Sequence, residues 1–213
     1  MDFLDREIEE YALAHTQPES DLLADLNRET WAKVLQPRML SGHLQGRFLS
    51  LISKLKQPKR ILEVGTYTGY SALCLAEGLA PDGQLHTIDA NEELETIIKK
   101  YVDRSAFKNN INLHFGDAHS IIPQLQEKWD LVFIDADKEN YATYFDLTID
   151  SVNTGGLLIA DNVLWSGKVL HAPKAGDIET QSLIDFNNKV FADKRVEPFL
   201  MPIRDGLMIL RKL

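Results

Sequence analysis

The chain has 213 residues, of which 44% are hydrophobic and 26% charged, a composition that predicts one globular domain with a substantial core. Its 32 acidic and 23 basic side chains give a formal net charge of −9 at pH 7, which disfavours a broad nucleic-acid-binding surface. No apolar run approaches bilayer length, and the only cysteine, Cys74, allows no internal disulfide. We therefore expect no membrane insertion and a cytoplasmic location, with Cys74 as a buried structural thiol.

The order of the predicted elements indicates the fold class. Helical spacing of apolar residues predicts three helices, over residues 2–14, 20–35 and 43–56, with breaks at Pro18 and Pro37. From residue 59 onward, strands 60–64, 84–89, 111–115, 129–135, 156–161, 195–200 and 206–211 alternate with helices 69–79, 92–105, 118–125, 140–152 and 178–192. This alternation predicts an α/β fold with a Rossmann-like, doubly wound seven-stranded sheet, mostly parallel with an antiparallel C-terminal strand. Residues 1–213 would form a single domain, with the helices of residues 1–56 packed on the sheet.

A glycine-bounded turn follows the first predicted strand. The run from Ile61 to Ser71 carries Glu63 at the strand end, Gly65 and Gly69 in the turn, and then a helix. The glycines let the backbone approach a ligand, and the helix N-terminus offers unpaired N–H groups. The spacing differs from the dinucleotide fingerprint G-x-G-x-x-G, and a carboxylate at residue 63 would repel a phosphate. S-adenosylmethionine, which is cationic, carries a ribose diol and lacks phosphate, fits better.

A second acid supports a nucleoside-containing ligand. Asp89 ends the next predicted strand, 24 residues after Gly65, where a carboxylate can bind a ribose diol. An ordinary strand-to-helix turn is the alternative for the two glycines alone.

Two further strand ends carry oxygen donors. Asp135 ends one buried strand, and Asp161 and Asn162 end another. Parallel strands end at one edge of the sheet, so these residues should converge with Glu63 and Asp89 in one crevice. Two carboxylates and an amide oxygen suit magnesium or another octahedral divalent cation. The alternative is that these Asx residues only cap turns and helices.

Lys138 lies on the loop that follows Asp135. A lysine that is partly desolvated beside a cation has its charged form disfavoured, so it is a candidate general base. A solvated loop lysine paired with Asp137 or Glu139 is the alternative.

Together these motifs resemble those of the cation-dependent class I O-methyltransferases, the family of catechol O-methyltransferase and, more closely, of plant caffeoyl-coenzyme A O-methyltransferase and its bacterial relatives. The resemblance runs from about Met39 to the C-terminus and includes Glu63–Ser71, Ile88-Asp89, Gly116–Ala118, Phe133–Lys138 with Asn140-Tyr141, Asp161–Gly167 and Asp205-Gly206. It implies that Ser41, Glu63, Gly65, Thr66 and Ser71 hold the methionine part of S-adenosylmethionine. It further implies that Asp89 binds the ribose, that Ala118 lies on the adenine side and that Asp137 makes further cofactor contacts. Asp135, Asp161 and Asn162 become metal ligands, and Lys138, beside Asp135, becomes the catalytic base.

The resemblance also implies an activity. It is the transfer of a methyl group to one hydroxyl of a small phenolic vicinal diol, catechol-like or caffeoyl-type, with magnesium, or else manganese or calcium, as the cation. Relatives are commonly homodimers, so we expect a homodimer. Tyr67, Met39 and Trp165 are candidate walls of the substrate pocket, with ordinary core packing as the alternative.

Other functions stay open at the level of sequence. A transfer-RNA hydroxyuridine O-methyltransferase would need a basic face, for which Lys54, Lys56, Lys59 and Arg60 are candidates. A non-catalytic S-adenosylmethionine-binding protein would not need the metal-binding residues. A nicotinamide dehydrogenase is disfavoured because the turn lacks the second glycine of the dinucleotide motif.

Overall fold

The computed structural model describes residues 6–213, so the first residues of the predicted helix 2–14 lie outside the described part. The helices are α1 (Arg6–Ala14), α2 (Asp21–Lys33), α3 (Gly42–Lys56), α4 (Tyr70–Ala76), α5 (Glu95–Arg104), α6 (Ala118–Leu125), α7 (Tyr141–Ile149) and α8 (Ile178–Ala192). The strands are β1 (Arg60–Val64), β2 (Gln84–Asp89), β3 (Ile111–Phe115), β4 (Trp129–Ile134), β5 (Val152–Ala160), β6 (Val196–Met201) and β7 (Leu207–Lys212). Short 3₁₀ helices cover Pro37–Met39, Glu92–Leu94, Lys138–Asn140 and Trp165–Leu170.

The seven strands form one sheet in the order β3-β2-β1-β4-β5-β7-β6. Strands β1 to β5 pair in parallel, whereas β7 is antiparallel to both of its neighbours, β5 and β6. The predicted fold class is therefore confirmed. The strand order reverses between β1 and β4, and ligands bind at such a reversal, outside the carboxyl ends of the strands.

The core lies on both faces of the sheet. On one face, Leu26 of α2 and Leu49 of α3 share a cluster with Ile61 and Leu131 of the sheet. On the other face, helices α6, α7 and α8 pack against alternate residues of the same strands, such as Leu62 and Val132. The central strands are buried on both sides, which explains their nearly continuous apolar sequences.

The region after α7 differs from the prediction. Helix α7 ends at Ile149 rather than at residue 152, and β5 begins at Val152 rather than at residue 156. Polar and glycine residues at 153–156 are typical of a turn, but Val152 pairs with the buried Trp129, and the register shifts between this pair and Leu131. Tertiary pairing here outweighs local strand propensity.

Cys74 is fully buried in α4, as expected for a structural thiol, and burial raises its pKa to about 12. Within residues 6–213, no helix combines the length and hydrophobicity needed to cross a membrane.

An ion pair ties α3 to α4, the helix that follows the glycine turn. Arg47 donates two hydrogen bonds to the Glu77 carboxylate, at 3.0 and 2.7 Å, and Ser50 and Lys54 donate one each. Burial by itself would raise the pKa of Glu77, but these donors lower it to about 2. The ionised carboxylate thus holds the two helices together.

We expect Glu77→Gln to lower the free energy of unfolding at pH 7 by about 2 to 3 kcal/mol, because the variant loses an ionised partner of the buried Arg47. The folded-state pKa lies below the ordinary value of 4.5, so this stability is present above pH 4.5 and is lost as the pH falls toward 2. Urea unfolding at pH 7 and pH 4 measures both effects. Glu197→Gln, in an exposed pair with Arg211, should cost less than about 0.5 kcal/mol. Equal losses in the two variants would contradict the account.

Candidate functional site

The glycine turn after β1 lies against the backbone of the loop after β4. Gly65 has a φ of +100° and Gly69 a φ of +88°. A Cβ atom on residue 65 would lie 1.9 Å from the carbonyl oxygen of Asp135, which no side chain can accommodate. Glycine at this position therefore lets the turn and the Asp135 loop touch, and it leaves the turn open to a ligand.

Glu63 is a fully buried acid behind the turn. Thr87 Oγ1 donates to its Oε2 at 2.5 Å, and Ser71 and Thr87 both favour the charged carboxylate. Burial raises the pKa of Glu63 to about 8 despite these contributions. Its Oε1 has no hydrogen-bond partner among the described residues. A buried carboxyl group with an unpaired oxygen and a raised pKa is suited to a positively charged ligand group.

The other predicted cofactor residues, apart from Ser41, lie at or after the carboxyl ends of strands β1 to β4. Asp89 accepts hydrogen bonds from the backbone N–H groups of Tyr67, at 2.6 Å, and of Asn91, at 2.8 Å. Thr66 is buried, and its hydroxyl lies 2.5 Å from that of Thr87. Ala118 begins α6, and Asp137 accepts a hydrogen bond from the Tyr144 hydroxyl at 2.6 Å. Ser41 is buried immediately before α3.

The predicted metal ligands and base form one connected group. Lys138 Nζ donates to Asp135 Oδ1 at 3.0 Å and to the Tyr141 hydroxyl at 2.6 Å. That hydroxyl donates in turn to the carbonyl oxygen of Asp161 at 3.0 Å. The Asn162 N–H donates to Asp161 Oδ1 at 2.7 Å, and Asn162 itself has a φ of +58°.

The charged side chains of this group shift one another's pKa values. Burial and the neighbouring Asp135 raise the pKa of the fully buried Asp161 to about 7. Burial lowers the pKa of Lys138, but its contacts with Tyr141, Asp135 and Asp161 outweigh this effect and raise the pKa above its ordinary value. These contacts therefore favour the charged amine, whereas the sequence-based expectation of a disfavoured charge applies to a lysine beside a bound cation and stays a prediction. The alternative of a solvated loop lysine is wrong, since Lys138 is 7% exposed.

Sequence reasoning missed two residues that contact this group. Gln45 Nε2 donates to Asp161 Oδ2 at 2.5 Å, and Arg204 Nη1 donates to Gln45 Oε1 at 3.2 Å. Arg204 also donates to the carbonyl oxygens of Leu40 and Ser41. A sequence feature could have identified Gln45. It lies one turn before Leu49 on the buried face of α3, where a polar side chain needs a hydrogen-bond partner.

A cleft of about 610 Å³ opens beside Asn162. Its apolar lining includes Leu13, Trp31, Pro37, Leu40 and Leu44, and its polar lining includes Ser41, His43, Asn162, Ser166 and Arg204. None of the predicted walls, Tyr67, Met39 and Trp165, lines this cleft. Met39 is 59% exposed, the Tyr67 hydroxyl donates to the Gln36 carbonyl, and Trp165 packs against the core.

The donor set is suited to a hard cation. Among residues 6–213, no three His, Cys, Asp or Glu side chains form a group that could hold a metal. The candidate donors are instead two carboxylates, of Asp135 and Asp161, and the amide oxygen of Asn162. Such oxygen donors favour magnesium, manganese or calcium over zinc.

Known proteins resemble this chain in sequence and in fold. The sequence profile of the O-methyltransferase family matches residues 13–213. The chain belongs to this family. It is 32% identical over 197 residues to caffeoyl-CoA O-methyltransferase 5 of Nicotiana tabacum, covering 87% of this chain and 82% of the relative.

Solved structures of bacterial O-methyltransferases superimpose closely. The enzyme of Bacillus cereus in complex with S-adenosylhomocysteine is 27% identical, with a TM-score of 0.89 and coverage of 97% of each chain. TomG of Streptomyces achromogenes, in complex with S-adenosylmethionine, is 26% identical, with a TM-score of 0.90 over 97% of this chain and 96% of TomG. Membership of the family confirms the resemblance and the prediction of an S-adenosylmethionine-dependent methyltransferase. Metal dependence, the substrate and the individual site residues stay predictions.

Gly65→Ala is expected to destabilise the fold by at least about 3 kcal/mol, because a backbone clash adds to the cost of positive φ. Gly155→Ala is the matched control, since Gly155 has a φ of +74° but nothing within 4 Å of the added Cβ, and should cost about 1 to 2 kcal/mol. Thermal and urea unfolding measure the loss of stability in both variants. Calorimetry measures S-adenosylhomocysteine binding, which only Gly65→Ala should abolish. Similar losses of stability in the two variants, with S-adenosylhomocysteine binding unchanged in Gly65→Ala, would refute the close approach of Gly65 to the Asp135 carbonyl oxygen.

Proposed function

We propose that this protein is a divalent-metal-dependent O-methyltransferase that methylates one hydroxyl of a small vicinal diol, catechol-like or caffeoyl-type. The observation that carries the proposal is the contact between Gly65 and the Asp135 carbonyl, which supports a cofactor-binding turn beside the proposed metal donors. The similarity to caffeoyl-CoA O-methyltransferase supports the same substrate class. A cleft with both apolar and polar lining residues lies beside Asn162 and offers room for an aromatic ring.

The cofactor residues fit S-adenosylmethionine, which supplies an electrophilic methyl group. Glu63 lies behind the turn with one unpaired oxygen, and a cationic amine would complete its hydrogen bonding and favour its ionised form. Gly65, Thr66, Ser71 and Ser41 would hold the rest of the methionine part. Asp89 would bind the ribose, Ala118 would lie at the adenine, and Asp137 would make further contacts.

Asp135, Asp161 and Asn162 would hold the cation, with magnesium expected and manganese or calcium as alternatives. The fit rests on the chemistry of the donors and on the burial and repulsion from Asp135 that raise the pKa of Asp161 to about 7. When bound, a divalent cation supplies Lewis acidity that lowers the pKa of a nearby phenolic hydroxyl.

Lys138 would take the hydroxyl proton at Nζ. Its contacts with Tyr141 and Asp135 hold the amine in place, and its burial excludes water. Once the charges of Asp135 and Asp161 are neutralised, these carboxylates no longer raise the pKa of Lys138, and its burial favours the neutral amine that can accept a proton.

The transfer-RNA alternative gains no support from the proposed basic face. Lys54 pairs with Glu77 and Arg60 pairs with Glu127, so two of its four charges are compensated. Arg60 begins β1, at the edge of the sheet opposite the site. A small phenolic substrate is therefore the proposal that we favour. The family resemblance leads us to propose a homodimer as well.

The proposed activity predicts metal-dependent methyl transfer from labelled S-adenosylmethionine to catechol or a caffeoyl ester, and none after chelation. Asp161→Ala should lower the rate at limiting magnesium at least about 100-fold, because a carboxylate donor is lost. Asp103→Ala, which removes an exposed acid on α5, should act like the wild type. Labelling that persists with chelator, or that occurs only with transfer RNA, would refute the proposed activity.

Binding of S-adenosylhomocysteine at pH 7 is expected to release a proton from Glu63. The pKa of Glu63 is about 8 in the free protein, so the acid is protonated there, and the ligand amine favours ionisation. The affinity should therefore rise with pH until about pH 8. Calorimetry in two buffers of different ionisation enthalpy measures the released proton. The control Glu92→Gln should keep the difference between buffers and Glu63→Gln should lose it, whereas equal heats in the wild type would contradict the prediction.

A further inference from the structure

We infer that Gln45 and Arg204 are positioning residues that orient the Asp161 carboxylate toward the cation. The inference rests on the proposed function, since it takes Asp161 to be a metal ligand. Both residues lie outside the donor set and would act through Asp161.

Gln45 fixes one oxygen of the carboxylate. It is 1% exposed on α3, and its Nε2 lies 2.5 Å from Asp161 Oδ2. The Asn162 N–H occupies the other oxygen, Oδ1, at 2.7 Å. Each oxygen thus has one protein donor and retains acceptor capacity for a cation. The carboxylate is held at both oxygens, which restricts its rotation.

Arg204 fixes the orientation of the Gln45 amide. The carboxylate accepts only from the amide nitrogen, and the guanidinium of Arg204 donates only to the amide oxygen, at 3.2 Å. One orientation of the amide satisfies both partners. Loss of Arg204 would free the amide to rotate and to offer its oxygen to Asp161, which would repel it.

The backbone of Arg204 indicates that its side chain has a specific role. Arg204 has a φ of +49°, in the left-handed region that is costly for a residue with a Cβ. Its guanidinium reaches back to the carbonyl oxygens of Leu40 and Ser41, which line the cleft. The same loop accepts backbone hydrogen bonds from Val163 and Leu164 at its Gly206 and Asp205 carbonyl oxygens. It therefore joins the cleft entrance to the segment that carries Asp161 and Asn162.

The test measures manganese binding directly, in the full chain, by titration calorimetry. Gln45→Met keeps the length of the side chain but removes the donor. Arg204→Gly removes the guanidinium and suits the positive φ, so it adds no backbone strain. Gln84→Met is the matched control, because Gln84 accepts a hydrogen bond from Asn112 at the other end of the sheet. Unfolding temperature and S-adenosylhomocysteine affinity are measured for every variant.

We expect each of the first two variants to bind manganese about 10- to 100-fold more weakly than the wild type, and Gln84→Met to bind it normally. The double variant should lose less than the product of the single losses, because the two residues act in series. The manganese concentration for half-maximal methyl transfer should rise in both variants, and S-adenosylhomocysteine affinity should fall by much less than manganese affinity.

Manganese affinity that is unchanged in both variants would overturn the inference while leaving the proposed metal site intact. Equal losses of manganese affinity, cofactor affinity and unfolding temperature would overturn it too, since they would indicate a general structural role. A wild-type protein that binds no manganese would overturn the proposed function itself, and the inference with it.

Discussion

The site depends on the backbone contact between the ends of two neighbouring strands. β1 and β4 run in parallel with Val64 beside Ile134, and the Asp135 N–H continues the pairing by donating to the Val64 carbonyl at 2.8 Å. Only glycine at residue 65 allows the turn to lie against the Asp135 carbonyl. This contact joins the turn that would hold the methyl donor to the loop that would hold the acceptor. It fixes the distance between them without relying on flexible side chains.

The like charges gathered at this edge would favour the binding of cationic ligands. Burial raises the pKa values of Glu63, to about 8, and of Asp161, to about 7, with Asp135 adding repulsion to both. Tyr141, Asp135 and Asp161 raise the pKa of Lys138. A positively charged ligand would lower each of these raised pKa values. A sulfonium cofactor and a divalent cation would thus be selected by one electrostatic feature.

Much of this arrangement follows from the sequence because parallel strands end at one edge, so acids at strand ends such as Glu63, Asp89, Asp135 and Asp161 must converge. The early start of β5 was missed because its pairing with Trp129 is a tertiary effect. Gln45 was missed because its partner Asp161 is 116 residues away in the chain. The sign of the Lys138 pKa shift depends on the balance of burial against two carboxylates, which spacing does not reveal. The predicted pocket walls Tyr67, Met39 and Trp165 do not line the cleft beside Asn162, because residue type does not determine side-chain direction near a turn.

The most direct test of the central claim is the location of the cation. Crystals grown with manganese and S-adenosylhomocysteine, and measured at the manganese absorption edge, give its position independently of the refined protein atoms. We expect one strong anomalous peak within about 2.5 Å of oxygens from Asp135, Asp161 and Asn162, beside the turn at Gly65. If no such peak appears at millimolar manganese, or if only other residues contact it, the cofactor turn and the metal site do not lie together at this edge of the sheet.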